Sequence, residues 1–532
     1  MSTNSKNEDF PVANLAQYQI DVMKSYGDSI ALLDSKTRKS YTYRQVIDRI
    51  QKLSAGLREL CLRQGDVICA LTFNTIEYPI IWYAANLIGA TFQTASPLYT
   101  DEELERRFKE CNTKFLVATP EQAKRISIMI QNIKLRSFSF SKPNILSAII
   151  VIGDNNTSHI QYESLFTSGS VTTATDDNPR TTASILLSSS GTTGLPKFVR
   201  LSHINIISNM IHLRDSLQQK PGTCTVLSLP VFHHFGVHTA LGAGLFMGLK
   251  IVLMERFETE TFLSLIQQYR AEFLQIVPTM AARLIKFADR GKYDLSSVKF
   301  IMTAAAPLGI GIEQHLMEMF NLNFIGQGYG LTETGFNSGN TKQHYKKGSS
   351  GVIPKGVILK IVDMETGRTL SHGARGEIHV GGPQITIGYL NNPEANKTSF
   401  DKDGFFKTGD IGYIDNEGYL FIVDRVKELI KYQGMQVAPA FLEDILVKHP
   451  AIADAAVIGI PDEDAGELPK AFVVKQPGKD ITVKEISNYI HEHVAPHMRL
   501  RGGVEFISEV PRNPSGKILR RFLRDGSRKS KL

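Results

Sequence analysis

The chain has 532 residues, of which 42% are hydrophobic, 21% charged and 9% aromatic. This composition belongs to a globular protein long enough for several buried cores, and it excludes collagen-like, coiled-coil and fully disordered chains. Lys and Arg number 60 against 53 Asp and Glu, but residues 512–532 alone hold eight basic residues and one acid. The body is therefore balanced, and the pI of 8.9 describes a basic tail, not a nucleic-acid-binding face.

In chain order, residues 1–10 are polar and do not fit a secretory leader. The apolar spacing predicts a helix over 42–57 and a strand over 67–73. The run 79–92 is too short to span a membrane and carries Asn86 in its middle, so it reads as a buried helix. A strand at 148–152 precedes a polar, Pro-containing stretch at 172–182. The apolar run 183–187 then leads straight into a Ser/Gly/Thr cluster. Strands at 250–254 and 273–277 flank a helix at 260–269, the pattern of a βαβ unit in a largely parallel sheet. Between 353 and 390 the pattern turns to short strands and Gly-rich turns.

A strand at 419–423 and the charged connector 424–427 suggest a boundary there. Beyond it an α+β unit follows, with helices at 439–448 and from 483, the latter with a Thr482/Glu485 capping box, and strands at 455–460 and 471–475. The expected fold is α/β. A large N-terminal domain (1–424) combines parallel-rich sheets, helices and a β-rich subdomain, and a small mobile α+β domain (425–532) follows it.

Four places could carry chemistry. The segment Ser188-Ser189-Ser190-Gly191-Thr192-Thr193-Gly194-Leu195-Pro196-Lys197 follows a strand and reads either as a flexible loop or as a phosphate cradle of hydroxyls, backbone N–H groups and one cation. It is neither a Walker loop nor a nucleophile elbow. The stretch Gly326-Gln327-Gly328-Tyr329-Gly330-Leu331-Thr332-Glu333 fails as a dinucleotide fingerprint. It reads as a tight turn with a helix-capping Thr, or as a site in which Tyr329 stacks, Thr332 meets phosphate and Glu333 holds Mg²⁺.

His233, His234 and His238 form a cluster in which Gly236 is expected to interrupt the helix that would align the last two, so a pocket-lining His is preferred to zinc. Lys517, on the Pro/Gly-punctuated loop 513–517, is either a solvated charge or a reaching cation. Cys61, Cys69, Cys111 and Cys224 have no zinc-type spacing and read as thiols. The final Ser530-Lys531-Leu532 has the form of the peroxisomal address, which makes the import receptor an expected partner and the peroxisome the expected location.

Taken together, the motifs resemble the adenylate-forming superfamily, and within it the acyl-CoA synthetase, 4-coumarate–CoA ligase and beetle luciferase group. The matching residues are the 188–197 loop, Pro230-Val231-Phe232-His233, 326–334, Lys407-Thr408-Gly409-Asp410, Asp424-Arg425-Val426-Lys427, Lys431 and Lys517. The resemblance implies activation of a carboxylic acid by ATP with Mg²⁺ and transfer of the acyl group to CoA.

By this resemblance, Ser189, Ser190, Gly191, Thr192, Thr193, Gly194 and Lys197 would cradle the pyrophosphate end of ATP. Ala305, Gln327, Gly328, Tyr329, Thr332, Asp410 and Arg425 would surround the nucleotide, with Glu333 on Mg²⁺. Lys517 would serve adenylation. Lys431, with Gly434, Gln433 and Gln436 on its loop, would serve the thiol step after a turn about the hinge Lys427. Arg256 would meet CoA phosphates, and His233, Phe235, Ala304 and Phe336 would line the acyl pocket.

The sequence departs from the family pattern in four places. Phe198 stands where Gly is usual, and either stiffens the loop or packs outward. Ala304 replaces a common Gly, Gln433 replaces a common Lys, and Phe336 is bulky for a pocket floor. A fatty or 4-coumarate-like acid is the expected substrate. A luciferase-type monooxygenase is the alternative, since 252–257 and 500–504 look luciferase-like. A catalytically dead binder is opposed by Lys517, Lys431, Glu333 and Asp410 all being present.

Overall fold

The structure is a computed structural model that describes residues 10–136, 146–153, 158–169, 178–189, 197–426, 428–433, 435–512, 517–520 and 522–524. Helices form where sequence capping and periodicity agree. Tyr43–Glu59 starts from a reciprocal Thr42/Gln45 box and buries Val46, Ile50, Leu53 and Leu57 along one stripe. The 79–92 run divides: Tyr78–Leu87 is a helix buried on every side, and Thr91–Ala95 is already a strand. Asn86 is tolerated there because its amide donates to the carbonyls of Ala90 (3.1 Å) and Ser184 (2.9 Å), while its oxygen accepts the Ser184 hydroxyl at 2.6 Å.

Among the described residues the strands form four sheets. A seven-stranded sheet runs Ile160–Gln161, Ala148–Val151, Thr113–Ala118, Val67–Leu71, Thr91–Ala95, Ala183–Ser189, Lys197–Ser202, parallel except for the final pair. An eight-stranded sheet places Lys250–Leu253 and Phe273–Ile276 on either side of Cys224–Leu227. The connection through helix Thr259–Tyr269 therefore crosses over one strand instead of joining neighbours. The Gly-rich stretch from 353 contributes to an antiparallel sheet of Ile358–Val362, Gly376–Gly381, Phe406–Ile414 and Leu420–Arg425. The fourth sheet, built on the long hairpin Ile452–Asp462 and Gly466–Lys475, belongs to the C-terminal part.

One apolar core joins residues from Leu15 to Leu420, and another begins at Ile430. The last N-terminal strand is longer than its sequence suggests and carries Asp424 and Arg425 inside it, so the charged connector starts two residues later than expected. No described helix is long and apolar enough to cross a membrane.

Phe198 packs inward. It is 1% exposed against Val67, Cys111 and Leu186, a burial worth about 1.5–3 kcal/mol. Arg107, also 1% exposed, lies between it and Tyr99, with its guanidinium carbon 3.9 Å from the Tyr99 ring centroid and 5.5 Å from that of Phe198. Neither Nε nor Nη1 of Arg107 has a hydrogen-bond partner among the described residues.

Candidate active site

The Gly-rich stretch 326–334 is a hairpin and does not lead into a helix. Gly326–Leu331 pairs antiparallel with Gly335–Gly339 across the turn Thr332-Glu333-Thr334. Its glycines make room for neighbours. A Cβ on Gly330 would lie 2.1 Å from the Gly335 carbonyl oxygen, and Cβ atoms on Gly328 and Gly339 would press on the Phe336 ring at 3.1 and 2.5 Å. Phe336 is thereby buried under the hairpin as its floor, 5% exposed. Gln327 accepts the Leu308 N–H at 2.9 Å, tying the hairpin to the loop that holds Ala304 and Ala305. Ala304 is half-buried at the end of Phe300–Thr303, and Ala305 takes φ +74°, a left-handed conformation that costs an alanine about 1–3 kcal/mol.

Asp410 gathers the central charges. It pairs across the sheet with Arg425, whose Nε meets its Oδ1 at 2.9 Å, and the Tyr329 hydroxyl donates to its Oδ2 at 2.7 Å. Burial raises the Asp410 carboxyl above its ordinary value, against the pull of Arg425, Tyr329 and Lys517. Lys517 lies in the same field. Burial and the Arg425 cation push its ammonium down to about 8, while Glu428 and Asp410 act the other way. The strand is irregular just before Asp410 and is fixed there through Gly409 (φ +70°), whose N–H donates to Glu377 Oε1 at 3.1 Å and whose carbonyl accepts the Val426 N–H at 2.8 Å.

Glu333 is 6% exposed and accepts the Tyr389 hydroxyl at 3.0 Å. Lys197 places its ammonium 4.9 Å from the centroid of the same tyrosine ring, so one phenol connects the foot of the first loop to the acid of the second. Ser189 pairs with Lys197 and closes the base of that loop, and Thr332 is half-buried in the hairpin turn. Ser190, Gly191, Thr192, Thr193, Gly194, Lys427 and Gly434 lie outside the described residues.

His233, Phe235 and Arg256 line a cavity of about 670 Å³ between the two parts of the chain, closed on the far side by Val510, Pro511, Leu519 and Phe522. Burial pushes His233 down to about 4, with Arg107 adding to the shift, and its Nε2 has no partner among the described residues. Arg256 stacks 3.6 Å from the Phe73 ring centroid. Gly236 does not interrupt the helix. A π-helix, Phe235–Gly242, runs through it because the missing side chain lets the backbone approach Pro230, whose carbonyl oxygen would be 2.1 Å from a Cβ there. His234 and His238 consequently do meet, with ring centroids 4.8 Å apart. No set of three or more His, Cys, Asp or Glu side chains suited to a metal ion occurs among the described residues.

Lys431 and Gln433 are not brought to this centre. Lys431 is exposed on the short strand Ile430–Tyr432, its N–H bonded to Glu467, and Gln433 is an exposed turn residue at φ +47°. Three contributors are invisible in the sequence: Tyr389, Glu377, and the buried Arg520. Arg520 pairs with Glu428, just past the connector, and with Glu443 at 2.7 Å. Their partners are distant in sequence, and no local pattern marks them.

The AMP-binding enzyme family model matches residues 21–390, and the AMP-binding enzyme C-terminal domain matches 442–517. The chain belongs to the AMP-binding enzyme family. It is 37% identical to 4-coumarate–CoA ligase 3 of Arabidopsis thaliana, covering 98% of this chain and 93% of that one, and 37% identical to 4-coumarate–CoA ligase 1 of Narcissus pseudonarcissus, covering 96% and 93%. Among solved structures, ATP-bound MatB from Rhodopseudomonas palustris superposes with a TM-score of 0.87 at 26% identity over 98% of this chain and all of that one. The anthranilate CoA ligase AuaEII with anthranoyl-AMP gives 0.88 at 25% identity over 99% of both. The α/β architecture and the acid–thiol ligase class expected from sequence both stand.

Proposed function

We propose that this member of the AMP-binding enzymes activates an arylpropenoic or fatty acid as its acyl adenylate and passes the acyl group to CoA, with the structure in the orientation suited to the first step. The observation that carries this reading is Lys517 in the company of Asp410, Arg425 and Tyr329, next to the Glu333–Tyr389–Lys197 group. The superposition favours the same orientation, since apo MatB gives a TM-score of 0.76 against 0.87 for the ATP-bound form.

In the first step a carboxylate oxygen attacks the α-phosphorus of ATP and pyrophosphate leaves. Charge accumulates on transferring oxygens, so positioned cations do most of the work. Lys517 supplies one, Lys197 another at the pyrophosphate end, and Asp410 holds the ribose hydroxyls. Tyr389 donates to one oxygen of Glu333, and no described residue hydrogen-bonds the other, which fits a Mg²⁺ that would be held by one carboxylate and substrate phosphates. When bound, that ion would neutralise phosphate charge. His233, neutral by burial, offers a hydrogen bond without adding charge where the carboxylate arrives.

In the second step a thiol attacks the acyl carbon and AMP leaves. The exposed Lys431 hairpin replaces the Lys517 loop after rotation about Lys427, and CoA reaches His233 through the cavity marked by Arg256. Carboxylate-dependent pyrophosphate release with Mg-ATP, assayed with and without CoA across fatty and cinnamic acids, tests the whole. CoA ester formation on one acid class is expected, and pyrophosphate release that never yields a CoA ester would refute the thiol step. Peroxisomal delivery through Ser530-Lys531-Leu532 is a companion proposal, tested by whether a fluorescent fusion leaves the organelle when those three residues are removed.

A further inference from the structure

The strand that carries Asp410 slips against its neighbour just where that carboxylate is presented. Between Gly376–Gly381 and Phe406–Ile414, Glu377 pairs with Ile411 and His379 with Lys407. Ile378 therefore stands opposite Thr408, Gly409 and Asp410 together, a β-bulge of the kind that re-aims a side chain beside an active site. Gly409 makes the bend at φ +70°, a conformation costly for a residue with a Cβ. Thr408 spans it: its hydroxyl donates to the Ile378 carbonyl at 2.7 Å and accepts the Asp410 N–H at 3.0 Å.

Glu377 holds the middle of the bulge, because its Oε1 accepts the Gly409 N–H at 3.1 Å. It is braced in turn. Its Oε2 lies 3.3 Å from Nε2 of the buried His379, whose Nδ1 lies 2.9 Å from Asp401 Oδ2. Asp401 is anchored by the Lys360 ammonium at 2.9 Å and by the N–H groups of Asp403 and Phe405 at 2.9 and 3.0 Å. Burial works to raise the Glu377 carboxyl, but His379, the Gly409 N–H and Lys407 outweigh it and hold it below its ordinary value. Glu377 is thus a fixed, charged acceptor, and neither it nor His379 nor Asp401 lines the cavity at His233.

The bulge serves two neighbours. The Gly409 carbonyl accepts the Val426 N–H at 2.8 Å, next to the connector. Asp410 itself meets Arg425 through one oxygen and Tyr329 through the other. A carboxylate oxygen has two lone pairs, so each can also accept one hydroxyl of a ribose diol when the group is correctly aimed.

We propose that Glu377, braced by His379 and Asp401, is a positioning residue for the nucleotide: by fixing the Gly409 bulge it aims Asp410 at the ribose hydroxyls. This rests on the ligase reading above, in which Asp410 holds those hydroxyls, and adds the residues that make the hold selective.

The test measures binding of Mg-ATP and Mg-2′,3′-dideoxy-ATP to the full-length protein by calorimetry, with no acid present. The wild type should favour ATP by about 100-fold, since the analogue covers Asp410 without offering it a hydroxyl. Glu377→Ala should lower ATP affinity by about tenfold and leave the analogue within about twofold, so the ratio falls to about ten. Glu377→Gln keeps an oxygen for the Gly409 N–H and should retain a ratio above about 30. His379→Phe leaves Glu377 in place but unbraced; it should fall between the two, and it carries the test if Glu377→Ala does not fold. In an Asp410→Ala background, adding Glu377→Ala should change ATP affinity by less than about twofold, because the group it acts through is gone. A wild-type ratio that survives both Glu377→Ala and His379→Phe, whatever their effect on thermal stability, overturns the inference and leaves the ligase reading intact. A wild type that does not bind ATP, or binds both nucleotides equally, would instead bring down the nucleotide role of Asp410 in that reading, and this inference with it.

Discussion

Two lysines of the C-terminal part, Lys517 and Lys431, sit in opposite surroundings. Lys517 is drawn into the field of Asp410, Arg425 and Glu428, where burial makes its proton easier to lose. Lys431 stands in solvent on a hairpin, where its backbone N–H donates to Glu467. Both belong to the C-terminal part, so in the proposed reaction an orientation that delivers one withholds the other. On that proposal a single centre runs two unlike displacements by exchanging the supporting cation while the nucleotide-holding residues stay in place.

The largest effect should come from Lys517→Ala. Adenylation should fall by about 10²–10³-fold, the loss typical of one transition-state donor, while thiolysis of a supplied acyl adenylate stays within a fewfold of wild type. Single-turnover assays of each half-reaction check this, and equal losses in both would break the comparison. Lys431→Ala should do the reverse, with about 10–100-fold lost from the thiol step. Next, Glu428→Gln removes the acid that pairs with Arg520 beside the connector. It should weaken the hold on the Lys517 loop and lower adenylation by about tenfold, with the thiol step less affected; stopped-flow measurement of both steps would show whether the asymmetry is real.

A subtler effect concerns pH. Because Lys517 has its pKa lowered to about 8 in the folded chain, kcat/KM for adenylation should decline as pH rises through about 8. Lys517→Arg should move that decline upward. Stability should move the other way. Between about pH 8 and the ordinary lysine range the unfolded chain binds the extra proton, so this group's contribution favours the fold as pH rises. Thermal unfolding across that window in wild type and Lys517→Met would reveal the sign.

Much of this was legible beforehand. Thr42 and Thr482 announced their helices, and apolar runs such as 250–254 announced buried strands. The resemblance implied that Asp410, Arg425 and Lys517 work around one nucleotide, and the structure sets their charges in one field. Sequence could not show that 326–334 folds back on itself, because its glycines serve Phe336 and Gly335 across a hairpin and not a helix start. Nor could it show that Gly236 permits a helix, since the reason is the Pro230 carbonyl pressed against it. Tyr389 and Arg520 escaped for a similar reason: their acids lie 56 and 92 residues away.

The stacking of Arg107 on Phe198 has a consequence for how this chain can change. Placing glycine at 198 should cost about 3–5 kcal/mol from the vanished ring alone, and it would also strip one aromatic cover from a buried guanidinium whose Nε and Nη1 have no hydrogen-bond partner among the described residues. Replacing Arg107 by leucine first removes that second penalty. Phe198→Gly should therefore be less damaging in the Arg107→Leu background than in the wild type, a coupling that a double-mutant cycle on unfolding free energy measures directly. The two positions form one mutational unit: a lineage that reached this pair could leave it easily in one order of substitution and only with difficulty in the other.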